Sequence, residues 1–297
     1  MRGTVYQNTF LTFLKEEKRY SEHTLTAYSK DLSQFNTYLV DLDLTSTKVT
    51  KLNVRNWIVN LSSSGISENS IARKLATIKS YFKFLHQQTI IDKNPCIGIK
   101  APKGKKKLPE FVQQKKLDHL LDTNYDNSST FLDTRDHLVI QLLYTTGIRK
   151  SELINLKESE ISFETNLIKI KGKGNKERFV PLIPETSELI KHYIHIKKKE
   201  INDLSEYLIV SEKGAQSYPM LIHRIVTRSL AKVTTQQKKS PHVLRHSFAT
   251  HLLNGGADLN AIKDLLGHNS LASTQVYTQN SLRKIKEVFS QAHPKAK

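Results

Sequence analysis

A chain of 297 residues with 38% hydrophobic content is long enough for one large domain or two ordinary ones, and its 46 Lys and Arg against 28 Asp and Glu (+18 at pH 7) point to a long polyanion as partner. The excess is shared, with 18 basic and 8 acidic residues through Lys107 and 28 and 20 after it, as expected of two lobes gripping one partner rather than of a charged tail. A single cysteine, Cys96, excludes a disulfide or thiolate metal cluster within one chain, and no stretch approaches the ~20 apolar residues of a membrane span or forms a secretion signal, so a cytoplasmic protein with no membrane partner is expected.

From Glu22 to Leu39 the apolar residues Leu25, Leu32, Phe35 and Leu39 share one helical face. Ile71, Leu75, Ile78, Phe82 and Leu85 repeat the pattern, after a loop Leu61 to Ile66 and a cap at Ser67 or Asn69. The first 100 residues therefore read as an all-helical bundle, a domain of its own. Asn94 to Glu110, NPCIGIKAPKGKKKLPE, gathers Pro, Gly and Lys and loses periodicity, as a solvated connector does, and the linker is placed at 101–109.

In the second domain, 110–297, Asp136 to Tyr144 predicts an apolar helix stopped by Gly147. Ser151 to Leu156 predicts a second helix just after Arg149. Leu167 to Leu182 reads as two strands joined by a Gly172-Lys-Gly-Asn175 turn with a lysine at its tip. A helix from about Glu185 to Glu200, a short strand Tyr207 to Val210 and several C-terminal helices follow. The fold class is mostly α with a small β-sheet.

Four segments carry chemistry-bearing residues: Thr146-Gly-Ile-Arg-Lys-Ser-Glu-Leu153, Gly172-Lys-Gly-Asn-Lys-Glu-Arg178, His242-Val-Leu-Arg-His-Ser-Phe-Ala-Thr-His-Leu252, and Leu266-Gly-His-Asn269 followed by Tyr277. In order and spacing they resemble the signature of the tyrosine site-specific recombinases, the phage integrase family. The junction Tyr81 to Leu85 through Asn94-Pro95 and Leu108-Pro109, with the ending His293-Pro-Lys-Ala296, resembles the Xer branch. The resemblance implies an N-terminal helical core-binding (SAM-like) domain and an α+β catalytic domain. It places the catalytic residues at Arg149, Lys173, His242, Arg245, His268 and Tyr277.

Moving a phosphodiester onto an enzyme and back needs a nucleophile, a cradle for negative charge and an acid for the leaving oxygen. Tyr277 is the nucleophile on this reading, on a helix capped by Ser270, its phenolate favoured by neighbouring arginines. Arg149 and Arg245 suit the nonbridging oxygens because a guanidinium fork stays charged and donates two parallel bonds, and Glu152 is placed to orient Arg149. Lys173 is the general acid, although Lys171, Lys173 and Lys176 also read as phosphate-neutralising residues of a basic hairpin. His242 is the better candidate for taking the tyrosine proton, His268 for a nonbridging oxygen; His246 and His251 read as residues for packing or helix positioning. A zinc site on His242 and His246 lacks a third ligand, and the glycine turn is not a nucleotide loop, so no metal or cofactor is expected.

The resemblance further implies a double-stranded recombination site as substrate, a 3′-phosphotyrosine intermediate and a tetrameric synapse with itself or a related recombinase. It also implies resolution of chromosome or plasmid multimers and activation by an FtsK-type DNA translocase. Ser281 to Ser290, with Leu282, Ile285, Val288 and Phe289 on one face, reads either as a C-terminal exchange helix docking on a neighbour or as a helix packed on its own domain. The rival functions are a mobile-element integrase, a type IB topoisomerase and a DNA-binding regulator that does not cleave.

Overall fold

A computed structural model describes residues 2–102, 104, 110–122, 130–172, 177–201, 205–267 and 279–295, with backbone alone for 2–5 and 279–285. The chain forms two compact units, Met1–Lys107 and Leu108–Lys297.

Among its described residues the first unit holds four α-helices: α1 (Arg2–Glu16), α2 (Glu22–Asp41), α3 (Lys51–Ser63) and α4 (Glu68–Gln87). Ser21, Thr50 and Ser67 start the last three, each side-chain oxygen accepting a backbone N–H three residues on. The predicted faces of α2 and α4 are the ones that pack: Leu32, Phe35 and Leu39 meet Ile78, Phe82 and Leu85 in a core completed by Phe10, Leu14 and Trp57. Burying each of these side chains contributes roughly 1.5–3 kcal/mol. Within that core Asp31 of α2 is fully buried, accepting from Arg73, from Lys74 at 3.2 Å and from the Thr77 hydroxyl at 2.9 Å, so the two helices are also joined by charge.

The start of the segment expected to be a solvated connector departs from that expectation. Cys96 and Ile99 are 4% and 5% exposed and belong to the first core, and Lys79 Nζ donates to the Ile99 carbonyl at 2.5 Å. Two apolar side chains in a short turn give no periodic signal, yet they suffice to pin it. Burial pushes the Cys96 thiol up to about 12, which leaves it protonated and inert.

The second unit is built around α6 (Phe131–Thr146), every residue of which from His137 onward is buried. It begins at Thr130, whose hydroxyl accepts the Asp133 N–H, earlier than the predicted Asp136, and ends at Gly147 in the left-handed region (φ 61°). A helix buried on nearly every side carries no single stripe from which to read its ends. Around it lie α5 (Gln114–Leu121), α7 (Lys150–Asn155), α8 (Pro184–Glu200), α9 (Pro219–Val233), α10 (Pro241–Asn254), α11 (Leu259–Leu266) and α12 (Gln279–Ala292).

The sheet is antiparallel, in the order β1 (Ile161–Ser162), β2 (Leu167–Lys171), β3 (Glu177–Pro181), with Ile168 opposite Val180 and Ile170 opposite Arg178. The predicted hairpin is therefore present, while residues 173–175 of its turn lie outside the described residues. The predicted strand Tyr207 to Val210 is not a strand. Its ends make isolated bridges to Lys157 and Gln216, and its apolar residues Leu208, Ile209 and Val210 are fully buried without a ladder.

The C-terminal half of α12 packs on its own unit. Phe289, Ala292 and His293 are buried, with the His293 ring stacked on Phe289 at 4.7 Å and Val288 packed against the same core. Gly255 permits this approach, since a Cβ there would lie 2.3 Å from the Ala292 carbonyl oxygen. Of the two readings of this helix, the single chain thus shows Phe289 and Val288 packed within their own unit; the side chains of Leu282 and Ile285 lie outside the described residues.

Candidate active site

Three of the six candidate residues, Arg149, His242 and Arg245, are described; Lys173, His268 and Tyr277, with the proposed cap Ser270, lie outside the described residues. The three come from two helix starts. Arg149 is the N-cap of α7, which begins one residue earlier than predicted, and His242 and Arg245 stand one turn apart in the first turns of α10.

Arg245 is 9% exposed and its guanidinium spans two turns: Nη1 donates to the carbonyl of Gly147 at 2.5 Å and Nη2 to that of Leu266 at 2.6 Å. Both acceptors close helices, α6 and α11, and both helices end in a left-handed glycine, Gly147 and Gly267. Arg149 reaches the next carbonyl, with Nη2 donating to Gly267 O at 3.1 Å. The two guanidinium groups are thereby drawn together by consecutive carbonyls at the end of α11, although 96 residues separate them in sequence.

Like charges brought together out of water repel. Burial first and Arg149 second push the Arg245 pKa down to about 10, with Arg178 adding to the effect and Glu152 opposing it. Arg245 remains charged at neutral pH, and an anion between the pair would relieve the repulsion. Arg149, with a side chain 37% exposed, presents the open side of this cradle.

Glu152 is the counter-charge. Its carboxylate accepts the Arg149 backbone N–H at 2.7 Å and Arg149 Nη1 at 2.8 Å, as expected of a group that orients Arg149. It also accepts a bidentate pair from Arg178 of β3, Nη1 at 2.9 Å and Nη2 at 2.8 Å. Burial pushes the Glu152 carboxyl up, but the hydrogen bonds and charge of Arg178, then those of Arg149, outweigh it and hold the pKa at about 2. Arg178 was not singled out from sequence. The available signal was strand alternation, which puts it on the buried face of β3 with Val180.

His242 is exposed at the second position of α10. The other histidines of this helix differ. His251 is buried and shares a 2.9 Å hydrogen bond with the Tyr144 hydroxyl, and His246 meets the Phe111 ring at 6.5 Å. No group of three or more His, Cys, Asp or Glu suited to a metal occurs among the described residues.

Two compact units, the second with a paired-guanidinium cradle suited to a phosphate, outline a protein that handles the nucleic-acid backbone. Residues 8–89 match the model for the phage integrase N-terminal SAM-like domain, and residues 110–283 that for the phage integrase family. A tyrosine recombinase XerC from Chlorobaculum parvum is 36% identical, with 97% of this chain and 94% of the relative covered. A tyrosine recombinase XerC from Staphylococcus aureus is also 36% identical, with 98% and 97% covered. The chain belongs to the phage integrase family of tyrosine recombinases, among its Xer-like members. The same fold is found in the XerH site-specific recombinase bound to palindromic difH substrate, with a TM-score of 0.72 at 22% identity over 96% of this chain and 84% of that one. A transposon integrase in complex with circular intermediate DNA gives 0.71 at 18% identity, over 94% and 98%.

Proposed function

We propose that this protein is a site-specific DNA recombinase that cleaves and rejoins duplex DNA through a 3′-phosphotyrosine at Tyr277. The observation that carries the reading is the convergence of Arg149 and Arg245 on consecutive carbonyls at the end of α11, the helix from which the chain runs on to His268 and Tyr277. In the proposed reaction the Tyr277 oxygen attacks the scissile phosphorus as its proton passes to His242, and the bond to the 5′ oxygen breaks. The developing charge falls on nonbridging oxygens held by Arg149, Arg245 and His268. Lys173 protonates the departing 5′ oxygen, which would otherwise leave as an alkoxide. The phosphotyrosine ester conserves the energy of the broken bond, so attack by a 5′ hydroxyl reverses the step without nucleotide or metal.

The two-domain division at 101–109 fits a protein in which both basic units hold the duplex, and a synaptic tetramer with itself or a related recombinase would bring two sites together. Resolution of chromosome or plasmid multimers, under an FtsK-type translocase, is the cellular role the Xer relationship favours. No helix among the described residues is long and apolar enough to cross a membrane.

The test is a nicked suicide substrate carrying the recombination site, recovered by trapping covalent protein–DNA fragments and sequencing them. Wild type should accumulate a covalent adduct, and Tyr277→Phe should bind the same DNA with unchanged affinity and form none. An adduct formed equally by Tyr277→Phe, or relaxation of any supercoiled DNA without site-dependent exchange, would refute the assignment.

A further inference from the structure

We propose that Arg178 is a positioning residue for DNA cleavage: by clamping both oxygens of Glu152 and the end of α11, it sets where Arg149 presents its charge and keeps that charge available to the phosphate. The inference rests on the recombinase reading and adds a residue to its machinery.

Arg178 is 5% exposed and makes three bonds from one planar group: the bidentate pair to Glu152, and Nε to the Leu265 carbonyl at 3.0 Å. Among the described residues, each side-chain bond made by Arg149 ends on a residue that Arg178 bonds or packs against. Its Nη1 binds Glu152, and its Nη2 binds Gly267, two residues beyond Leu265. Gly267 also packs so closely on the Arg178 side chain that a Cβ there would meet Arg178 Cδ at 3.1 Å. Three segments that carry candidate residues therefore meet at one buried guanidinium: α7, the β2–β3 hairpin and the end of α11. Lysine lacks the fork needed for these three directions.

Charge gives the second argument. Glu152 faces Arg149, Arg178 and Arg245, one carboxylate among three cations. Because Arg178 shares both of its oxygens, Glu152 divides its charge between two guanidinium groups and steers Arg149 without giving it the whole. Without Arg178 the carboxylate would turn its whole charge on Arg149 and compete with the phosphate for that fork. Being buried, Arg178 acts through Glu152 and Arg149 and not by touching DNA.

The experiment measures single-turnover cleavage of the suicide substrate against pH, with DNA affinity and thermal unfolding, for wild type, R178Q, R178K, E152Q and E152Q/R178Q. R178Q should bind DNA as wild type does and cleave on the order of 10²-fold more slowly, the usual consequence of a misplaced reacting group. Its rate deficit relative to wild type should also shrink toward acid pH, because Glu152 loses the partner that keeps it ionised and, once protonated, no longer competes for Arg149. The double variant should be no slower than R178Q, since removing the unclamped carboxylate removes the competitor. If R178Q does not fold, R178K carries the test, with a smaller rate loss and a deficit that likewise shrinks toward acid pH. Folded R178Q or R178K with a deficit that does not change with pH, or losses that simply multiply in the double variant, would overturn the proposal. Absence of any wild-type adduct would instead remove the recombinase reading beneath it.

Discussion

Two left-handed glycines in the same unit separate the cost of backbone strain from the cost of disturbing the arginine cradle. Gly147 (φ 61°) ends α6 and Gly256 (φ 91°) follows α10. A Cβ at Gly256 would have nothing within 4 Å, so Gly256→Ala carries the backbone term alone, roughly 1–2 kcal/mol. A Cβ at Gly147 would stand 2.3 Å from Phe248 Cδ1 and 3.0 Å from Leu266 Cδ2, so Gly147→Ala adds overpacking of about 1–3 kcal/mol and should cost about 2–5 kcal/mol in all. At about 2–4 °C per kcal/mol for a unit of this size, calorimetry should place Gly256→Ala about 2–8 °C below wild type and Gly147→Ala clearly lower. The Gly147 carbonyl also holds Arg245, and Phe248 lies one turn beyond Arg245 on α10, so Gly147→Ala should depress suicide-substrate cleavage measured well below its melting temperature. Gly256→Ala should cleave at the wild-type rate there. Equal melting temperatures and equal cleavage for the two variants would refute both the packing argument and the link from Gly147 to Arg245.

His293 supplies a pH test. Burial, then His251 and Lys295, push its pKa from 6.5 to about 3, so below pH 6.5 the unfolded chain takes up a proton that the folded chain refuses. Its contribution to stability is complete above pH 6.5 and is lost as pH falls from there toward 3, at up to ~1.4 kcal/mol per unit. The stability difference between wild type and His293→Phe should therefore shift steadily against wild type from pH 7 to 4 in urea titrations, and a flat difference would refute the burial argument. Lys173→Ala should slow cleavage of ordinary DNA and recover on a substrate with a 5′-bridging sulfur, which leaves without a proton; failure to recover would remove Lys173 as the acid.

The parts of the fold that were legible in sequence are those written in local chemistry. The faces of α2 and α4 follow from apolar residues at helical spacing, Ser67 from its hydroxyl before a periodic run, and the stop at Gly147 from a glycine after an apolar stretch. Arg149, His242 and Arg245 are candidates through the resemblance of their segments to a family signature, and the structure adds that Arg149 and Arg245 are held by neighbouring carbonyls. What was hidden depends on residues far apart in the chain: the pairing of Arg178 with Glu152 across 26 positions, and the use of backbone carbonyls at Gly147, Leu266 and Gly267 as anchors, which no side-chain pattern records. Tyr207 to Val210 misled for a related reason, since an apolar run reports burial whether or not a neighbouring strand is there to pair with it.

The two guanidinium groups are fastened to the last carbonyls of α11, and the chain goes on from Gly267 toward His268 and Tyr277. That end of the helix is thus moored twice over, by two cations from different parts of the unit, so a substitution that frays the last turn of α11 should displace both guanidinium groups together and not one alone.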